Sequence, residues 1–93
     1  MPKRVDANQP EIVGMLRQIG ASVTCTHMVS NGFPDIVVGW QGDNYLMEIK
    51  DGSKPPSKRR LTPEEAIWHN EWRGKVHIVN NFDEALEVLN GKK

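Results

Sequence analysis

The sequence predicts an α/β domain of order αβββαβα, with a central mixed sheet flanked by helices. Two observations predict it. Two apolar runs, 35–40 and 45–50, flank Gln41-Gly42-Asp43-Asn44 and read as an antiparallel hairpin. Further on, a helix with strong start signals lies between two strand-like segments, a unit that adds a parallel strand to the same sheet.

Each element has its own warrant. Asn8 can cap a first helix, with Pro10 in its first turn. Ile12, Leu16 and Ile19 then recur at helical spacing, joined by Val13 and Met15, until Gly20 ends the run. Residues 21–27 alternate and are rich in Val and Thr, the pattern of a strand, and 28–34 form a loop with Asn31-Gly32 and Pro34. Residues 51–61 read as a polar, basic loop. Thr62 and Glu65 have capping-box spacing around Pro63, opening a second helix that Gly74 stops. Residues 75–79 are a short strand. Asn81 and Glu84 open a last helix with a core stripe of Phe82, Ala85, Leu86 and Leu89.

Composition narrows the class. With 93 residues the chain fits one domain, 1–93, near the small end of what buries an adequate core, and pairing with a second copy is a common remedy. Residues 1–7 are polar and read as a flexible tail. Lys and Arg number 12 against 12 Asp and Glu, so nucleic acid could be held only through a local patch or a bound cation. The single cysteine, Cys25, excludes an intrachain disulfide, and no apolar run approaches the roughly 20 residues of a membrane span. Met-Pro-Lys-Arg lacks the apolar core of a signal peptide. These features predict a cytoplasmic domain.

The hairpin concentrates the chemistry. A turn at Gly42-Asp43 sets Asp35 opposite Lys50 and Val37 opposite Glu48. Residues opposed across strands, or two apart on one strand, share a face. Asp35, Glu48 and Lys50 then project from one face, with the two carboxylates diagonal at roughly 5–8 Å. The other face is apolar throughout: Ile36, Val38, Trp40, Tyr45, Met47 and Ile49. Two carboxylates so placed call for a cation. A hard ion such as Mg²⁺ takes oxygen ligands and eases deprotonation of bound water, and an adjacent ammonium can stabilise charge on a phosphate. The competing reading is a surface salt bridge, which contributes little.

Pro34-Asp35 followed across a hairpin by Glu48-Ile49-Lys50 resembles the PD-(D/E)XK nuclease signature, and the αβββαβ order is similar to that superfamily's restriction-endonuclease-like core. More narrowly, Gln9 and Glu11, Gly32-Phe33-Pro34-Asp35, 45–50 and Leu61-Thr62-Pro63 resemble the VRR-NUC family of virus-type replication-repair nucleases, over residues 6 to about 89. The resemblance implies Mg²⁺ or Mn²⁺ held by Asp35, Glu48 and the Ile49 backbone carbonyl, with Lys50 as the catalytic lysine. It implies that Glu11 approaches as a further ligand or catalytic group. It also implies a homodimer acting on branched DNA, Holliday junctions first, in a bacterial or phage-infected cell. A flap or single-strand-trimming nuclease, and an inactive DNA-binding module of the same fold, are the alternatives. The family's usual Gln early in the second helix is replaced by Glu65, which is either a helix cap or an inward-facing charge.

Other residues are open to more than one reading. Lys54, Lys58, Arg59 and Arg60 form a basic loop beside the site, either a solvated surface or a phosphate contact, which Lys3 and Arg4 could extend. Gln9 and His69 are possible accessory residues. Cys25, His27, His69 and His77 have irregular spacing that argues against zinc. Trp68 and Trp72, four apart, favour core or interface packing over base stacking.

Overall fold

The computed structural model describes residues 6–29 and 31–91. Its elements are α1 (Gln9–Gln18), β1 (Ser22–Cys25), β2 (Ile36–Trp40), β3 (Asp43–Ile49), α2 (Pro63–Glu71), β4 (His77–Val79) and α3 (Phe82–Leu89). This is the αβββαβα order, with one short 3-10 turn, Pro56–Lys58, inside the basic loop. The four strands lie in the order β1-β2-β3-β4. The first three pair antiparallel, and β4 joins β3 in parallel, so the sheet is mixed. Residues 1–5, including Lys3 and Arg4, lie outside the described residues. Among those described, no helix is long and apolar enough to cross a membrane.

The hairpin register differs from the expected one. Its two-residue turn is Gln41-Gly42, with φ of 49° and 86°, and Trp40 pairs with Asp43. Positive φ at both central residues is the type I′ requirement, and glycine fills the second position rather than the first. Every β2 residue therefore faces a β3 residue two positions earlier than expected: Val37 faces Leu46, not Glu48. A shift of two leaves each side chain on its original face, because the strand period is two.

The apolar face survives this correction intact. Ile36, Val38, Met47 and Ile49 are fully buried, and Trp40 and Tyr45 pack at the margin. Ile12 and Leu16 of α1 cover that face together with Ala85, Val88 and Leu89 of α3, and α1 packs directly on α3. Each large aliphatic side chain so buried contributes roughly 1.5–3 kcal/mol. Asn81 caps α3 as expected, its side chain accepting the Glu84 N–H at 2.9 Å.

On the opposite face α2 reaches the end of β3 through Glu65 and His69, and this helix is unlike the other two. Its one buried residue is Glu65. A helix that turns a glutamate rather than an apolar stripe inward is docked by polar contacts. Gly32 supplies part of the seat: its φ is +83°, and a Cβ there would lie 2.5 Å from the Glu64 carbonyl oxygen. Phe33 adds an edge-to-face contact with Trp68 at 5.3 Å.

Candidate active site

Burial of charge locates the site. Among the described residues the buried polar or charged side chains are Gln9, Asp35, Glu48 and Glu65, at 3%, 3%, 1% and 2% exposure. Isolated carboxylates are costly to bury. Here three of them gather where β3 ends.

Glu48 leaves the outer face of β3, and Lys50 follows directly after the strand on the same side. The Lys50 ammonium lies 2.7 Å from Glu65 Oε1 and 3.7 Å from Glu48 Oε2. Glu48 Oε1 in turn lies 3.9 Å from His69 Nε2, one helical turn beyond Glu65 on α2. Glu65 is both things the sequence allowed. Its Oε1 accepts the Thr62 N–H at 2.9 Å, completing the capping box, and the same oxygen holds Lys50.

Asp35 stands just ahead of β2. Its N–H donates to the Met47 carbonyl at 3.0 Å, and its Oδ2 accepts the Ile49 N–H at 2.7 Å. The Asp35 carboxylate is thus set against the peptide joining Glu48 to Ile49, not opposite Lys50 as the expected register had it. In an extended strand the N–H and C=O of one residue point to the same side. The Ile49 carbonyl therefore opens toward Asp35 as well. Asp35 is held there by its neighbours, since its own carbonyl accepts the Thr26 N–H at 2.8 Å and Thr26 Oγ1 donates to the Pro34 carbonyl at 2.6 Å.

Of the two candidates on the first helix, Gln9 is turned inward and Glu11 outward. Gln9 is buried, and its Oε1 has no hydrogen-bond partner among the described residues. Glu11, two residues on and thus about 200° around the helix, is exposed. It lines a shallow depression with Asp51, Ser53, Asn80 and Asn81. No hydrogen bond or ion pair among the described residues joins it to Asp35, Glu48 or Lys50. Asn8 makes no side-chain cap. Its amide instead donates to the Lys50 carbonyl at 3.0 Å and the Asn80 carbonyl at 3.1 Å, tying α1 to the ends of β3 and β4.

Asp6, expected in the flexible tail, lies within electrostatic reach of Lys50 and Asp35. Its carbonyl accepts the Gln9 N–H at 3.0 Å. Burial raises its carboxyl above the ordinary value of 3.8; Lys50 opposes that and Asp35 reinforces it. Nothing in the composition of a polar N-terminus separates such a residue from solvated chain; the only signal was its place just ahead of the helix start.

In the basic loop Lys54, Lys58 and Arg60 are exposed and Arg59 is half-buried. Asp51, at the start of this loop, accepts from the Ser53 side chain and backbone, which hold its carboxyl below the usual range. Cys25 is exposed, and no set of three or more His, Cys, Asp or Glu among the described residues is arranged to hold a metal ion by itself.

With this geometry in view, the chain can be set beside known proteins. No family model matches the sequence, and no curated protein matches it. A solved structure described as a VRR_NUC domain does match. It is 21% identical, the alignment covers 91% of this chain and 92% of that one, and the TM-score is 0.60. The chain thus has the fold of a VRR_NUC domain over nearly its whole length.

Proposed function

We propose that the protein is a metal-dependent nuclease of the PD-(D/E)XK type that hydrolyses phosphodiester bonds in structured DNA. One observation carries the reading: the carboxylates of Asp35, Glu48 and Glu65 are buried together where β3 ends, with the Lys50 ammonium 2.7 Å from Glu65 and 3.7 Å from Glu48. Carboxylates gathered this closely repel one another, and a hard divalent cation that takes oxygen ligands relieves that repulsion. The fold shared with a VRR_NUC domain agrees with this reading.

Mg²⁺ or Mn²⁺ fits the donor set. Such ions take oxygen ligands and are commonly held by one or two carboxylates while keeping several waters, so a full protein cage is not needed. Asp35 and Glu48 would supply the carboxylates and Ile49 its carbonyl. When bound, the metal acidifies a coordinated water and offsets charge on the phosphate. The chain's own residues do the rest. Glu65 takes one of the three Lys50 N–H donors and so fixes where the others point. Those N–H groups face the charge that develops on a phosphate oxygen as water adds to phosphorus and the ester P–O bond breaks. Loss of one donor of this kind costs roughly 10²–10³ in rate. The Ile49 amide fixes the rotamer of Asp35 through its 2.7 Å bond. A two-fold dimer would present two such sites to two strands.

The test is cleavage of labelled four-way junctions, flaps and linear duplex, with and without Mg²⁺ or Mn²⁺, by wild type, Asp35→Asn and Lys50→Ala. Asp35→Asn keeps an acceptor for the Ile49 N–H while removing the charge, so it should remain folded and lose cleavage. Absence of cleavage by wild type on every substrate, or wild-type rates in both variants, would refute the reading.

A further inference from the structure

Three aromatic rings, Phe33, Trp68 and Trp72, cluster along α2. Trp68 and Trp72 stack with centroids 4.6 Å apart and planes inclined by 18°. Trp68 also meets the edge of Phe33 at 5.3 Å and lies 5.9 Å from the His69 ring. Phe33 is two residues ahead of Asp35, and His69 faces Glu48 at 3.9 Å. The ring cluster is thus linked to the site through the segment that leads to Asp35 and through His69, which faces Glu48.

Packing accounts for Phe33 and Trp68, which help seat α2 against the loop carrying Asp35. It does not account for Trp72. This residue caps the C-terminal end of α2 and is 44% exposed. Its ring is nonetheless fixed in place. One neighbour is the Trp68 ring, and the other is Gly74, where a Cβ would come within 2.9 Å of the indole Nε1. A large, planar, held and exposed ring is a ready surface for stacking. Charge complements it: Arg73 and Lys75, both exposed, follow Trp72, while Arg59 and Arg60 precede α2. In a chain of zero net charge, cations at both ends of an aromatic helix face are a local feature suited to a polyanion that carries flat bases.

We propose that the Trp68–Trp72 stack is a platform for an unpaired nucleobase of the DNA strand whose phosphate enters the Asp35–Glu48 site. Paired bases keep their faces within the duplex stack, so the platform selects DNA with at least one unpaired nucleotide close to the cleaved bond. The proposal rests on the nuclease reading for the direction of the strand, but its test does not depend on cleavage.

That test is binding of a short fluorescent oligothymidylate in Ca²⁺, which supplies a divalent charge, compared with a blunt duplex of equal length. Wild type should bind the oligothymidylate with quenching of tryptophan emission. Trp72→Ala should weaken that binding about 5- to 150-fold, the effect of one stacked base, and leave blunt-duplex affinity unchanged. Trp72→Phe, which restores a ring, should recover most of the loss. Circular dichroism and thermal melting check that each variant is folded. Failure of wild type to bind the oligothymidylate would overturn the proposal, as would equal affinity in Trp72→Ala. So would a shift from dimer to monomer on sedimentation of Trp72→Ala with oligothymidylate affinity intact, which would make this face a contact between copies. If binding depends on Trp72 but no DNA is ever cleaved, the platform stands and the nuclease reading falls.

Discussion

Lys50 Nζ sits 2.7 Å from Glu65 Oε1 but 3.7 Å from Glu48 Oε2, so the lysine just after β3 is held first by α2. The Glu65 oxygen also accepts the Thr62 N–H, so one atom closes the start of α2 and fixes the lysine. Glu65→Ala should cost about 1–3 kcal/mol, through loss of the cap and of the partner to a largely buried ammonium. Glu65→Gln keeps an amide oxygen in the same place and should cost less than half as much. Urea unfolding of the three proteins decides it, and a wild-type midpoint for Glu65→Ala would rule out this double role.

Asn8 offers a sharper contrast, because its two roles call for opposite substitutions. As a helix cap it would be replaceable by Asp, an equally good N-cap. As the donor to the Lys50 and Asn80 carbonyls, at 3.0 and 3.1 Å, it is not, since Asp would bring an acceptor to two acceptors. Asn8→Asp should therefore destabilise more than Asn8→Ala, itself costing about 1–2 kcal/mol for the lost bonds. The reverse order of melting temperatures would restore the capping role.

These cases mark what could be read from the sequence. Strand alternation was legible because an unbroken apolar face, Ile36 to Ile49, has one satisfactory arrangement: turned to the core. That face fixed the side on which Glu48 and Lys50 emerge, and it did so even though the turn was misplaced, since Gln41-Gly42 and Gly42-Asp43 differ by an even shift in register. Helix phase at the first turn was not legible. Gln9 and Glu11 are both plausible near a charged site, and only the packing of Ile12 and Leu16 decides which is turned inward. Nor was Asn8, whose amide reaches two carbonyls more than 40 positions away. Thr62 and Glu65 were legible as a cap because that interaction is local. Glu65 as the partner of Lys50 needed the seat at Gly32 to bring α2 to the end of β3.

Asp6 sets a pH dependence whose sign follows from its raised carboxyl. The folded state binds this proton more tightly than the unfolded chain, where the ordinary value is 3.8. Its contribution to stability is present in full below that value and is lost as pH rises through the folded-state value. At neutral pH the ionised group, penalised mainly by burial, weakens the fold. Asp6→Asn should therefore melt higher than wild type at pH 7, and the gain should shrink as the pH is lowered toward 3.8. A gain that persists unchanged into acid would show that the effect is not titration of Asp6.

Gly32 tests whether the seat of α2 controls the site. Its φ of +83° disfavours any side chain, and a Cβ would meet only backbone: Glu64 O at 2.5 Å, Glu64 C at 2.9 Å and Glu65 Cα at 3.1 Å. None of these atoms can swing aside, so α2 itself must move. Gly42 is the control, with a similar φ of +86° but open space around it. Gly42→Ala should cost only the left-handed backbone penalty of about 1–2 kcal/mol, and Gly32→Ala that penalty plus about 1–3 kcal/mol of overpacking. The two should also differ in kind. Displacing α2 draws Glu65 away from Lys50 and His69 away from Glu48, so Gly32→Ala should cleave DNA more slowly than Gly42→Ala at temperatures where both are fully folded. Equal stability losses would mean that the Gly32–Glu64 contact does not constrain the helix, and equal cleavage rates would separate the seating of α2 from the chemistry of Lys50.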